Sequence, residues 1–168
     1  MLSVLIETLD DEEGLARTLA SLVGGAVEGA VREVIVCDRG SGDHTHRVAE
    51  HAGCHFVTEG LAAGIRLAKG DWLLFLEPGA RLADGWTDAA ADHVARSAMP
   101  ARFSRAPGSR APFLSRLMAR PTALAQGLLI PKRRALASKA ADAEALARGL
   151  AMKTLHAGIW QAPARQAP

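Results

Sequence analysis

Four short apolar runs divide the first half of the chain: Ser3–Ile6, Glu33–Cys37, His55–Val57 and Asp71–Leu76. Runs this short, apolar without alternation and bounded by polar or glycine-containing segments, are the pattern of strands buried on both faces of a parallel sheet. Between them the apolar positions recur at helical spacing. Leu15, Leu19, Leu22 and Val23 define a first helix, with Asp10 as its cap, Glu13 placed for a capping box and Gly24-Gly25 as its end. Asp43–Ala52 and Leu61–Ala68 read as further helices, the latter stopped by Lys69-Gly70, and Gly85-Trp86 opens a helix that runs to Ala98. Strand and helix alternate throughout, which predicts an α/β fold with a mostly parallel sheet and helices on both faces.

The second half is less regular. Arg102–Arg110 reads as a basic loop, Pro112–Ala119 as a helix with Pro at its first position, Gln126–Ile130 as a strand and Ala141–Leu150 as an Ala-rich helix. The Ala/Pro/Gln-rich segment 161–168 reads as a disordered tail, which leaves a single domain over residues 1–160.

Composition narrows the class. At 168 residues the chain is long enough for one sizeable core, and a net charge of +2 with no Tyr argues against a nucleic-acid partner. Two cysteines, Cys37 and Cys54, make no disulfide framework. No stretch approaches the ~20 apolar residues of a transmembrane helix, and Glu7 and Asp10 interrupt the opening apolar run as a signal peptide would not be interrupted. The expected setting is therefore cytoplasmic. His44, His46, His51, Cys54 and His55 match no standard zinc spacing and read as a His-rich surface helix and its exit. Pro112–Arg120 mixes apolar residues with Arg; it reads either as a helix packed on the core or as a weak membrane-surface contact.

Candidate chemistry lies where the strands end. In doubly wound sheets ligands bind beyond the carboxyl ends of the strands. Here those ends are Glu7-Thr-Leu-Asp10, Asp38-Arg-Gly-Ser-Gly42 and Glu77-Pro-Gly-Ala80, all polar or glycine-containing. By residue type alone, Asp38 either contacts a ligand or caps the Gly40-Ser41 turn, and Asp10 either lines the pocket or caps a helix.

These blocks resemble the family 2 glycosyltransferases of the GT-A, nucleotide-diphospho-sugar transferase type. Ser3-Val-Leu-Ile-Glu-Thr-Leu-Asp-Asp-Glu12 is similar to their S-V-I-I-P-T-x-N-E opening. Glu33-Val-Ile-Val-Cys-Asp-Arg-Gly-Ser-Gly-Asp43, followed by Thr45, is similar to I-V-V-D-D-G-S-T-D-x-T, and Gly64-Ile65, Ala68, Gly70-Asp71 and Phe75-Leu76 to G-I…A-x-G-D…F-L-D-x-D. The resemblance covers residues 1–90 and implies a GT-A fold, with 1–90 as the nucleotide-binding half and 91–160 as a variable acceptor-side half. It implies transfer of a sugar from a nucleotide-diphosphate sugar to an acceptor hydroxyl of unknown identity, with Thr8, Asp10, Asp38, Gly40 and Glu77 as donor-binding residues. It also implies a divalent cation, Mn²⁺ or Mg²⁺. A late acidic motif carries the general base in such enzymes, and Ala141-Asp-Ala-Glu144 offers Asp142 for that role; its other reading is the ordinary acidic start of a helix.

The chain departs from the family pattern at several of these positions. Glu7 replaces the Pro, Asp10 the Asn, Arg39 the second Asp of D-D-G-S, and Leu61-Ala62 the usual Arg-Asn. Glu77-Pro78-Gly79 replaces the D-x-D motif, so Glu77 is at most one metal ligand and Gly79 has none to offer. Arg39, Arg66 and Arg81 are the cations available to offset a diphosphate, unless they are solvated surface charges. The alternative to an enzyme is a catalytically degenerate relative that binds a nucleotide or a protein partner.

Overall fold

The computed structural model describes residues 1–107 and 122–163. The four apolar runs form β1 (Leu2–Thr8), β2 (Val31–Asp38), β3 (His55–Val57) and β4 (Trp72–Leu76), all parallel, in the order β3-β2-β1-β4. Val4 and Ile6 of β1 enter one core and Leu5 the other, which is why the run shows no polar alternation. The first core is completed by α1 (Glu12–Val27), α2 (Thr45–His51) and α4 (Trp86–Arg96) through Leu15, Leu22, Ala49, Trp86 and Ala90. The second is covered by α3 (Leu61–Leu67), α5 (Lys132–Ala137) and α6 (Ala143–Ala147) through Leu61, Ile65, Ala135, Ala143, Leu146 and Ala147. Beyond β4 the sheet continues antiparallel into β7 (Leu128–Pro131) and then through β6 (Ala101–Arg105) and β8 (Lys153–Trp160) to the two-residue β5 (Arg81–Leu82). The result is a GT-A-type α/β fold built on one curled, mostly parallel sheet.

Several elements differ from the reading of the sequence. Asp10 is not the cap of α1: it holds a left-handed φ of 53°, and its Oδ1 accepts the Gly42 N–H at 2.7 Å. The helix starts at Glu12 after Asp11 without a side-chain cap, while Glu13 pairs with Arg17 at 2.9 Å. Nor do Gly24-Gly25 end it; they lie inside a helix that reaches Val27. Burying Leu15 and Leu22 contributes about 2–3 kcal/mol each, more than the ~1 kcal/mol of an N-cap side chain, so packing rather than termini sets the extent of α1.

Residues 101–105 form a strand rather than a loop, with Ala101 and Phe103 buried and Arg102 outside. Two flanking arginines masked that alternation. The helix expected over Ala141–Leu150 shrinks to Ala143–Ala147, and the sequence pattern does not predict the elements at Lys132–Ala137, Arg81–Leu82 and Lys153–Trp160. The last has Leu155, Ala157 and Ile159 buried at period two. The expected helix 112–119, the surface contact at 112–120 and residues 164–168 of the expected tail lie outside the described residues; Gln161–Pro163 are described.

Candidate functional site

The loops after β1, β2 and β4 gather at one edge of the sheet and bring Thr8, Asp10, Asp38, Gly40 and Glu77 to it. Thr8 and Asp38 end adjacent parallel strands as register partners. The Thr8 hydroxyl donates to Asp38 Oδ1 at 2.7 Å, and the Ser41 hydroxyl donates to the same oxygen at 2.5 Å. Asp38 Oδ2 accepts the N–H groups of Gly40 at 3.0 Å and Ser41 at 2.8 Å. A carboxylate has about four acceptor positions, and these four donors occupy them in a residue that is 4% exposed. Burial, the largest single influence, pushes the Asp38 carboxyl up, but the hydrogen bonds from Ser41, Thr8 and Gly40 together outweigh it and hold it below its ordinary value. Asp38 thus shapes the loop that follows β2.

A second set of bonds ties that loop to the one after β1. The Asp10 N–H donates to Ser41 Oγ at 2.9 Å and the Asp11 N–H to Thr45 Oγ1 at 3.0 Å. The Glu12 N–H donates to Asp43 Oδ2 at 3.0 Å, and the His44 N–H donates to Glu12 Oε2 at 3.0 Å. The first turn of α1 therefore finds acceptors across the loop pair instead of in a capping box. An open cavity of about 400 Å³ lies against these residues, lined by Asp10, Asp11, Glu12, Glu13 and Asp43 and by Pro78, Gly79 and Pro163. Among the described residues the cation lining it, Arg17, is paired with Glu13.

The turn after β4 is held from α1. Thr18 Oγ1 and the Gly14 carbonyl both accept the Gly79 N–H at 2.9 Å, and the Thr18 hydroxyl donates to the Glu77 carbonyl at 3.3 Å. The Thr122 hydroxyl donates to Glu77 Oε1. Gly79 has φ 96°, and a Cβ there would stand 3.0 Å from Pro163 Cδ. No three His, Cys, Asp or Glu side chains among the described residues are grouped to hold a metal ion. Gly79 brings no ligating side chain to this turn, in which Glu77 is the carboxylate.

On the other side of this edge stands Glu7, which in the sequence stands out only as a departure from the family pattern. Its Oε2 accepts the Ala143 N–H at 2.6 Å, joining the end of β1 to the start of α6. Burial above all, and then the charge of Asp142, raises the Glu7 carboxyl above its ordinary value against the opposing pull of the Ala143 N–H and of Arg39. Asp142 caps α6, its Oδ1 accepting the Ala145 N–H at 2.7 Å. Glu144 accepts the N–H groups of Ala123 at 2.9 Å and Leu124 at 3.0 Å, so the segment entering β7 is fastened to α6.

The three arginines separate. Arg39 stands on the loop after β2, close enough to Glu7 to act on its charge. Arg66 ends α3 beside Lys132, whose ammonium donates to the Arg66 and Ala68 carbonyls near the start of β4, away from the loops. Arg81 lies over the Trp160 ring, 5.3 Å from its centroid. The His-rich stretch is surface, as read: His46 faces Glu50 at 3.8 Å and His55 faces Glu33 at 3.7 Å. No described helix is long and apolar enough to cross a membrane.

No protein-family model and no curated protein matches the chain. Its fold does match solved structures. S. aureus TarS superimposes with a TM-score of 0.62 at 15% identity over 92% of this chain and 57% of that one, and the TarS complex with UDP gives 0.58 at 18% identity over 79% and 47%. Glucosyl-3-phosphoglycerate synthase from Mycobacterium tuberculosis, in complex with Mn²⁺, UDP and glucosyl-3-phosphoglycerate, gives 0.53 at 18% identity over 80% of this chain and 57% of that one. The chain covers 47–57% of the length of these structures.

Proposed function

We propose that the chain is a family 2-type GT-A glycosyltransferase unit, with residues 1–90 forming the nucleotide half and 91–160 the acceptor half of one domain. The observation that carries this reading is the pair of loops after β1 and β2, knitted through Thr8, Asp10, Asp38 and Ser41 at the carboxyl edge of a parallel sheet. Ligands of such sheets bind there, and the structural relatives crystallised with UDP support a nucleoside diphosphate as the ligand.

In this reading Asp38 and Thr8 act through the shape they give to Gly40 and its neighbours, while Asp10 and Glu77 stand at the rim. The five carboxylates of the open cavity repel a diphosphate, so its charge is met instead by Arg39 on the loop after β2. The acceptor hydroxyl oxygen attacks the anomeric carbon, and the bond from that carbon to the diphosphate oxygen breaks. The electron pair leaves with the nucleoside diphosphate, and the hydroxyl proton passes to Asp142 as general base. The degenerate D-x-D position gives no step through a protein-held cation.

The experiment is a thermal-shift and calorimetric screen of UDP, GDP, CDP and their sugar esters, with and without Mn²⁺. A ligand at 100 times its Kd stabilises by about 2.7 kcal/mol, a clear rise in Tm. A protein whose Tm no nucleoside diphosphate or sugar ester moves at millimolar concentration does not have this function.

A further inference from the structure

We infer that Glu7 is a positioning residue for Asp142: it docks the start of α6 onto the end of β1 and holds the two carboxylates side by side at the acceptor edge. The inference rests on the glycosyl-transfer reading and deepens it. The family pattern has Pro at this position, which offers no side-chain acceptor, so the device belongs to this chain.

The geometry is specific. Glu7 ends the apolar run of β1 and is the register partner of Cys37, and its half-buried carboxylate accepts the Ala143 N–H at 2.6 Å. Ala143 is itself 2% exposed, so water does not replace that acceptor. At five residues, α6 is too short to persist alone. It is held by the burial of Ala143, Leu146 and Ala147 and by two carboxylates, Glu7 at its start and Glu144 reaching the segment before β7. Asp142 immediately precedes Ala143, so whatever fixes that N–H fixes Asp142.

Asp142 raises the Glu7 carboxyl and Arg39 lowers it, with burial the largest influence and upward. The Cys37 thiol, pushed up to about 12 by burial and by Glu7, stays protonated at neutral pH. Glu7 therefore takes up a proton more readily than a solvated carboxylate does.

The test is an amide NMR titration of the Ala143 cross-peak in the full chain and in Glu7→Gln, Glu7→Ala and Asp142→Asn, with donor turnover measured alongside. In wild type the peak moves with a midpoint above the ordinary Glu value of 4.5, and Asp142→Asn lowers that midpoint. Glu7→Gln keeps an acceptor for the N–H, so it preserves exchange protection but abolishes the movement and changes the pH dependence of kcat. Glu7→Ala loses protection by about tenfold and lowers kcat by about 100-fold, the effect of a misplaced catalytic group, with UDP affinity kept within about twofold. A peak that does not titrate, or a midpoint unmoved by Asp142→Asn, overturns the pairing. A wild type that binds UDP but consumes no UDP-sugar overturns the positioning role. Failure of wild type to bind any nucleoside diphosphate overturns the glycosyl-transfer reading instead, and leaves the titration to decide the Glu7–Ala143 contact alone.

Discussion

Asp38 shows how a residue singled out for ligand contact can be fully engaged within the protein. Its carboxylate receives Thr8, Ser41 and Gly40, and removing it leaves a set of nearly buried donors without an acceptor. Asp38→Ala should lower stability by about 3 kcal/mol, read by urea denaturation, because each orphaned buried donor costs about 1–3 kcal/mol and part is recovered by relaxation. Loss of nucleotide binding in that variant would therefore reflect a collapsed loop, not a lost contact. The pH sign follows from the same bonds. Asp38 and Asp43 are held below their ordinary value of 3.8, with burial opposing as the largest single influence in each and the hydrogen bonds prevailing. Their stabilisation is fully present above that value and is lost as pH falls through the lower folded values. Glu7 runs the other way: with its value raised from 4.5, its contribution is present below that pH and declines as the group ionises in the fold. Equilibrium unfolding should show an acid-side loss that Asp38→Asn reduces.

At the scale of elements, α1 carries two adjacent glycines with opposite roles. A Cβ at Gly24 would meet nothing within 4 Å, whereas one at Gly25 would stand 2.5 Å from the ring of Trp86, which is 4% exposed. Gly24→Ala should stabilise by about 0.5–1 kcal/mol from helix propensity alone. Gly25→Ala should destabilise by about 1–3 kcal/mol, since the buried indole must shift to make room. Thermal denaturation of the two variants checks the pair, and equal effects would mean that α1 and α4 do not pack as described. The turn after β4 makes a parallel case. Gly79 has φ 96° and faces Pro163, so Gly79→Asp should cost about 1–2 kcal/mol in strain. It should also fail to create a Mn²⁺ site, as calorimetric titration with Mn²⁺ would show.

For the whole molecule, a net charge of +2 conceals separated surfaces. The open cavity at the start of α1 is acidic, whereas Arg66 and Lys132 lie together where α3 meets α5. Because the described residues group no three metal-ligating side chains, UDP binding should differ by less than about threefold between Mn²⁺ and chelator, well under the ~10-fold that 1.4 kcal/mol confers. Strict dependence on Mn²⁺ would show that residues beyond this set complete a metal site.

The parallel half of the sheet follows from the order of residues alone. Continuous apolar runs such as Val4-Leu-Ile6 and Leu73-Leu-Phe-Leu76 have few alternatives to a strand buried on both faces, and the strand ends announce where polar loops must gather. The same order leaves β5, β6, β8 and α5 open, because they are short or carry exposed arginines and lysines and their burial depends on distant partners; β6, for example, pairs with β7 and β8. Nor does that order determine the work of the carboxylates. Whether an Asp or Glu caps a helix, shapes a loop or docks another element depends on which donor comes within 3 Å. For Glu7 that donor is Ala143, 136 residues away along the chain, and only the fold brings the two together.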